Sequence, residues 1–123
     1  MKESDFVGNI LTQCEKIMPG GMGFKHHDTV TTGIPDLSWS WAQRTLWAEA
    51  KNGKDAKISA IQQRTLQRLS RVTLALILWN RPDLNEVQIF DANDLLLARL
   101  PNVRATVTYL RQRMVEWGTL NAA

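Results

Sequence analysis

Apolar residues recur at helical spacing over residues 5–18, where Phe6, Val7, Ile10, Leu11, Cys14, Ile17 and Met18 share one face. Ser4 is the expected N-cap, and Pro19, Gly20 and Gly21 stop the helix. Glu15 lies beside Leu11 at the edge of the apolar stripe, so it can point along the core surface. Residues 22–30 (MGFKHHDTV) then read as a first strand, and residues 34–41 (IPDLSWSW) alternate as a second. The turn AQRT leads into a third strand over residues 46–51, LWAEAK. Successive side chains in a strand point to opposite faces, so Trp47, Glu49 and Lys51 share one face, and Leu46, Ala48 and Ala50 the other. Ser59 and Gln62 have the spacing of a capping box, which starts a helix expected to run to about Arg71. Ile61, Thr65, Leu66 and Leu69 face inward on it, with Val72 continuing the line and polar Gln62 within the same arc. The run 72–79 (VTLALILW) is apolar on both faces, as in a central strand covered on both sides, and EVQIF at 86–90 gives a further strand. Two closing helices are expected over 92–100 and 102–117, the second with Val103, Val107, Leu110, Met114 and Trp117 on one face. This order predicts an α/β protein with a mixed sheet flanked by helices.

Composition adds bounds. The 123 residues fit one domain, 1–123, and no apolar run has the length of a membrane span. Acids follow Lys2 at once, which argues against a leader peptide and for a cytoplasmic protein. Cys14, the one cysteine, makes neither an internal disulfide nor a thiolate zinc cluster, and reads as a small core residue. Net charge is +3 and the isoelectric point is near 9.4, which permits a nucleic-acid partner without requiring one. Five tryptophans are many for this length. Most are expected in the core, although aromatic faces also stack on unpaired bases.

Candidate chemistry lies in GIPDLSWSWAQRTLWAEAK, residues 33–51. If the second and third strands pair as a hairpin, Asp36 and Glu49 converge on one sheet edge. Mg²⁺ takes oxygen ligands and often uses only one or two protein carboxylates beside substrate phosphate. Such an ion would serve phosphodiester hydrolysis, with Lys51 orienting the water or neutralising the phosphorus centre. Spacing alone also fits a surface hairpin carrying a Glu and Lys pair.

The full set GIPD, WAEAK and ISAIQ resembles the PD-(D/E)xK nuclease superfamily, most closely its VRR-NUC type, over about residues 28–80. The resemblance implies a restriction-endonuclease-like fold and a DNA endonuclease dependent on Mg²⁺ or Mn²⁺. It implies Asp36 and Glu49 as metal ligands, the Ala50 carbonyl as a further one, Lys51 as the catalytic lysine and Gln62 as a supporting catalytic residue. An acid on the first helix completes the shell in many members. Glu15 is the candidate here, with Glu3 and Asp28 as substitutes. Gln62 would be costly on an inward face unless partnered, and a metal-site network would partner it, as would the capping box alone.

Arg64, Arg68 and Arg71 on the second helix, with Arg44, Lys54 and Lys57 in flanking loops, suit phosphate contacts, or form an ordinary solvated face. No helix-turn-helix or zinc-finger pattern is present, which favours recognition of DNA shape, such as a branched junction. The resemblance implies a homodimer similar to Holliday junction resolvases, working in replication, recombination or repair in a bacterial or phage-infected cell. Trp39 or Trp41, if exposed, would join the dimer contact or stack at the junction. Of His26 and His27, adjacent in a strand, at most one can belong to the site. The competing reading is a non-catalytic DNA-binding or assembly protein that keeps the fold, against which the intact acids and lysine speak.

Overall fold

A computed structural model describes residues 1–26 and 33–120. Helix α1 (Glu3–Ile17) is followed by β1 (Met22–Lys25), β2 (Leu37–Trp41), β3 (Arg44–Asn52), α2 (Ala60–Leu69), β4 (Leu74–Arg81), β5 (Glu86–Asp91), β6 (Leu96–Leu100) and α3 (Val103–Leu120). The strands form one sheet in the order β1-β2-β3-β4-β5-β6. Every pairing is antiparallel except β3 with β4, which α2 connects as a crossover. The result is the expected mixed sheet flanked by helices.

Alternation along the strands makes two layers of core. On one face Leu37, Trp39, Leu46, Ala48, Ala50, Leu76, Leu78 and Ile89 pack with Phe6, Ile10 and Cys14 of α1 and Val107, Leu110 and Met114 of α3. On the other face Ala75 and Ile77 pack with Leu66 of α2, supported by Trp47, Trp79 and Phe90. Residues 74–78 of β4 are buried on both sides, as a parallel central strand requires. Burial pushes the Cys14 thiol up to about 12, which suits its place as an inert core residue. Among the described residues no helix is long and apolar enough to cross a membrane.

Several expectations change. Ser4 does not cap α1: the helix begins at Glu3, and Asp5 Oδ2 accepts from the Lys2 amide at 3.2 Å. The segment 92–100 is not a helix but a turn and strand β6. There Asp91 Oδ1 accepts from the amides of Asn93 (2.8 Å) and Leu95 (3.0 Å), closing the turn of a hairpin in place of a first helical turn. Sheet pairing with β5 outweighs the preference of the leucines and alanine for helix. Helix α2 ends at Leu69, so Val72 is left 72% exposed instead of continuing the inward line, and Ile61 is 42% exposed. Trp39 is fully buried and unavailable for a junction or a dimer contact. Trp41 is half-buried under the Arg111 guanidinium, 5.3 Å from the ring centre.

The β2–β3 turn is tighter than the four residues AQRT. Trp41 pairs directly with Arg44, leaving only Ala42 and Gln43, at φ values of 52° and 63°. Both occupy the left-handed region that a two-residue hairpin of this hand demands and that Asn-Gly satisfies best. Replacing Ala42→Asn and Gln43→Gly together is expected to raise stability by about 1–2 kcal/mol, measured as a higher denaturant midpoint with unchanged slope.

Candidate active site

The register Leu37↔Ala48 sets Asp36, one residue before β2, opposite Glu49. Asp36 is held through backbone and side chain alike. Its carbonyl accepts from the His26 amide at 2.9 Å, and its Oδ2 accepts from the Ala50 amide at 2.8 Å. The preceding chain is fixed by Gly33, whose φ of +88° places it against α2. A Cβ there would lie 2.5 Å from Ile61 Cγ2. The GIPD motif is thus a tight packing of loop on helix that aims one carboxylate.

Glu49 and Lys51 project from the α2 side of β3, only 1% and 8% exposed. Gln62, in the first turn of α2, ties them together. Its Oε1 accepts from Lys51 Nζ (3.2 Å) and from the Ser59 amide (3.0 Å). Its Nε2 donates to Glu49 Oε1 at 3.3 Å. The Gln62 amide proton completes the capping box by donating to Ser59 Oγ at 3.1 Å. One side chain therefore starts the helix and orients both charged groups.

The third acid comes from the opposite layer. Glu3, in the first turn of α1, brings an oxygen within 4.8 Å of oxygens of Asp36 and Glu49. The chain ahead of it is anchored at the ends of the parallel strands: Asn52 Nδ2 donates to the Met1 carbonyl (2.6 Å), and Asn80 Nδ2 to Asn52 Oδ1 (2.8 Å).

Three carboxylates this close oppose one another. Burial first, then the neighbouring Asp36, pushes Glu49 up to about 9, against the pull of Lys51. Glu3 is raised by burial and then by Asp36. The Lys51 ammonium stands 3.9 Å from Glu49 Oε1, while the buried Glu49 Oε2 has no hydrogen-bond partner among the described residues. A buried carboxylate oxygen left open among two more acids fits a divalent cation. The donor set, all oxygen without His or Cys, suits Mg²⁺ or Mn²⁺ rather than Zn²⁺.

No protein-family model matches the chain, and no curated protein sequence matches it. Solved structures do. The Holliday junction resolvase Hjc of Archaeoglobus fulgidus superposes with a TM-score of 0.58 at 18% identity, over 73% of this chain and 77% of that one. A VRR_NUC domain gives 0.54 at 19% identity, over 67% of this chain and 87% of the other. The chain has the PD-(D/E)xK nuclease fold.

Within this nuclease fold, Asp36, Glu49, Lys51 and Gln62 stand together, and Ala50 touches the cluster through its amide. Glu15 does not join them. It is exposed on α1, twelve residues and so about 18 Å along the helix from Glu3, the α1 acid that reaches the cluster. Asp28 and His27 lie outside the described residues. His26 makes contacts away from the carboxylate cluster: its Nε2 pairs with Ser38 Oγ at 2.9 Å and its ring stacks on Trp47 with centroids 5.0 Å apart. Arg44 does not flank the site. It starts β3, about 17 Å of strand before Glu49, where its guanidinium fills the space beside Gly118. Lys54 and Lys57 are exposed in the loop between β3 and α2, Arg64 and Arg68 are exposed on α2, and Arg71 is exposed just past its end. Lys25 carries no motif in the sequence. It lines a cavity of about 180 Å³ with Glu3, Ser4, Val7 and Asp36. Its only signal is proximity to His26, and that means nothing until β1 is paired with β2.

Gly33→Ala is expected to lower stability by about 1–3 kcal/mol through strain at positive φ and the clash with Ile61, read as a fall in melting temperature. Gln62→Ala is expected to cost about 1–2 kcal/mol, because it removes the cap and leaves Glu49 and Lys51 without their shared partner. Equilibrium denaturation checks both.

Proposed function

We propose that the protein is a divalent-cation-dependent endodeoxyribonuclease acting on branched or otherwise structured DNA. The observation that carries this reading is the convergence of Glu3, Asp36 and Glu49 from two layers of the fold beside a buried lysine held by Gln62. Burying this acid beside two others is unfavourable by itself, and its second oxygen, which has no hydrogen-bond partner among the described residues, is free to meet a cation.

Glu3, Asp36 and Glu49 are the residues that would hold Mg²⁺ or Mn²⁺, with the Ala50 carbonyl as a further donor. The chemistry such a cation supplies is a lowered pKa for bound water and neutralisation of charge on the phosphate. In the hydrolysis, a water oxygen forms a bond to phosphorus while the bond to one ester oxygen breaks, and that oxygen leaves with a proton. Lys51, fixed by Gln62 Oε1, places its ammonium where negative charge grows on the phosphate. Lys54 and Lys57 in the adjoining loop, and Arg64 and Arg68 on α2, supply phosphate contacts that carry no sequence information. Branched DNA is favoured because a structural neighbour is a Holliday junction resolvase. Action as a homodimer, as two-strand cutting of a junction needs, belongs to the same reading.

The test offers the purified protein four-way junction, flap, nicked and linear DNA with Mg²⁺ or Mn²⁺. Cleavage of a branched substrate is expected, and Lys51→Ala is expected to lower kcat by about 10²- to 10³-fold. Glu3→Gln should abolish cation-dependent cleavage, whereas Glu15→Gln should leave it intact. Failure of the wild type to cut any of the substrates, or equal cutting by Lys51→Ala, would leave a non-catalytic DNA-binding protein.

A further inference from the structure

Beside the carboxylate cluster, on the same face of the sheet, lies a second cavity of about 420 Å³. That volume falls in the roughly 300–1,000 Å³ range of small-ligand pockets. Ile77, Trp79 and Phe90 line it, with Lys57, Gln63 and Asp94 as its polar groups. Two of its apolar residues are the immediate neighbours of the site: Ile77 pairs with Glu49 and Trp79 with Lys51 across the parallel ladder. Adjacent strands lie about 4.8 Å apart, so one bound molecule reaches both places.

We propose that this cavity binds an unpaired nucleobase of the DNA substrate. The indole of Trp79 is pinned by a hydrogen bond from Nε1 to the Gly53 carbonyl at 2.7 Å. Phe90 meets it edge-on, with ring centroids 6.1 Å apart. A half-buried aromatic surface fixed in this way is a stacking platform that accepts any base, because every base has a π-face. The polar groups fit the edge of a base. Gln63 Nε2 donates to Asp94 Oδ2 at 2.8 Å, which holds a carboxylate acceptor for exocyclic amines and an amide side by side. Lys57, with Lys54 three residues before it in the same exposed loop, supplies positive charge for the attached phosphate. This combination of aromatic surface, base-edge acceptor and phosphate cation commits the cavity to a nucleotide rather than to an apolar ligand or a second copy of the chain.

For its substrate the proposal rests on the nuclease reading, but its test does not require cleavage. The deoxyribonucleoside monophosphate of 2-aminopurine, whose emission falls when the base stacks, is titrated with the full chain without divalent cation. Deoxyribose 5-phosphate serves as a competitor that has no base. Quenching that dAMP reverses and deoxyribose 5-phosphate does not is expected. Ala56→Leu, which adds volume to the cavity wall, and Gln63→Ala, which removes the base-edge amide, are each expected to weaken binding about tenfold or more, with melting temperature within a few degrees of wild type. Lys57→Ala is expected to weaken the monophosphate but not the free nucleoside. Absence of quenching, equal competition by deoxyribose 5-phosphate, or undiminished binding by folded Ala56→Leu would each overturn the pocket. A chain that binds the base but cuts no DNA sinks the nuclease reading instead, and one that cuts without binding it sinks only the pocket.

Discussion

A carboxylate buried in a sheet is tolerable only where its charge is answered, and the local architecture around Glu49 follows from that requirement. On β3 it is closed off by α2 above and by β4 beside it, and its nearest cation, Lys51, is itself nearly buried. Gln62 answers one oxygen, and the other has no hydrogen-bond partner among the described residues. Asp36 and Glu3 add negative charge where more positive charge would be needed for stability alone. The arrangement is comprehensible if a cation of charge two completes it, and it then joins three layers of the fold: α1 through Glu3, the sheet through Asp36 and Glu49, and α2 through Gln62.

Several local features serve this joint. The hairpin register opposes Asp36 to Glu49, so a slip of one residue would turn one acid to the other face. Gly33 lets the loop before β2 lie on Ile61, which couples the aim of Asp36 to the position of α2. The capping box makes the start of α2 and the orientation of the Gln62 amide a single event. The floor of the neighbouring cavity is made by β4, whose residues are the lateral partners of Glu49 and Lys51. Chemistry and base contact would therefore rest on the same rigid pair of parallel strands.

Residue patterns legible without a structure are those in which local physics decides. The capping box at Ser59 and Gln62 is set by side chains three residues apart. The common face of Glu49 and Lys51 follows from the period of a strand, and the doubly apolar β4 from its composition. Asp36, Glu49, Lys51 and Gln62 could be grouped because a short hairpin and one crossover connect them. The leucine-rich segment 92–100 departs from its local pattern for the complementary reason. Its composition favours helix, but the Asp91 turn and the free edge of β5 are offered by the rest of the sheet, and pairing there outweighs intrinsic preference.

Sequence by itself thus determined the alternating faces of the strands, the capped start of α2 and the grouping of Asp36, Glu49, Lys51 and Gln62, which share a hairpin and its following helix. Tertiary structure alone decided which acid of α1 meets them. Helical periodicity puts Glu15 at the edge of an apolar stripe but says nothing about which end of the helix lies over the ends of β3 and β4. That choice depends on how α1 packs against the sheet and on the Asn52 and Asn80 contacts that hold the preceding residues in place. It brings Glu3 to the cluster and leaves Glu15 in solvent. The positions of Arg44, Lys25 and Trp79 relative to the cluster were decided in the same way, because position along a strand becomes proximity only once its neighbours are in register.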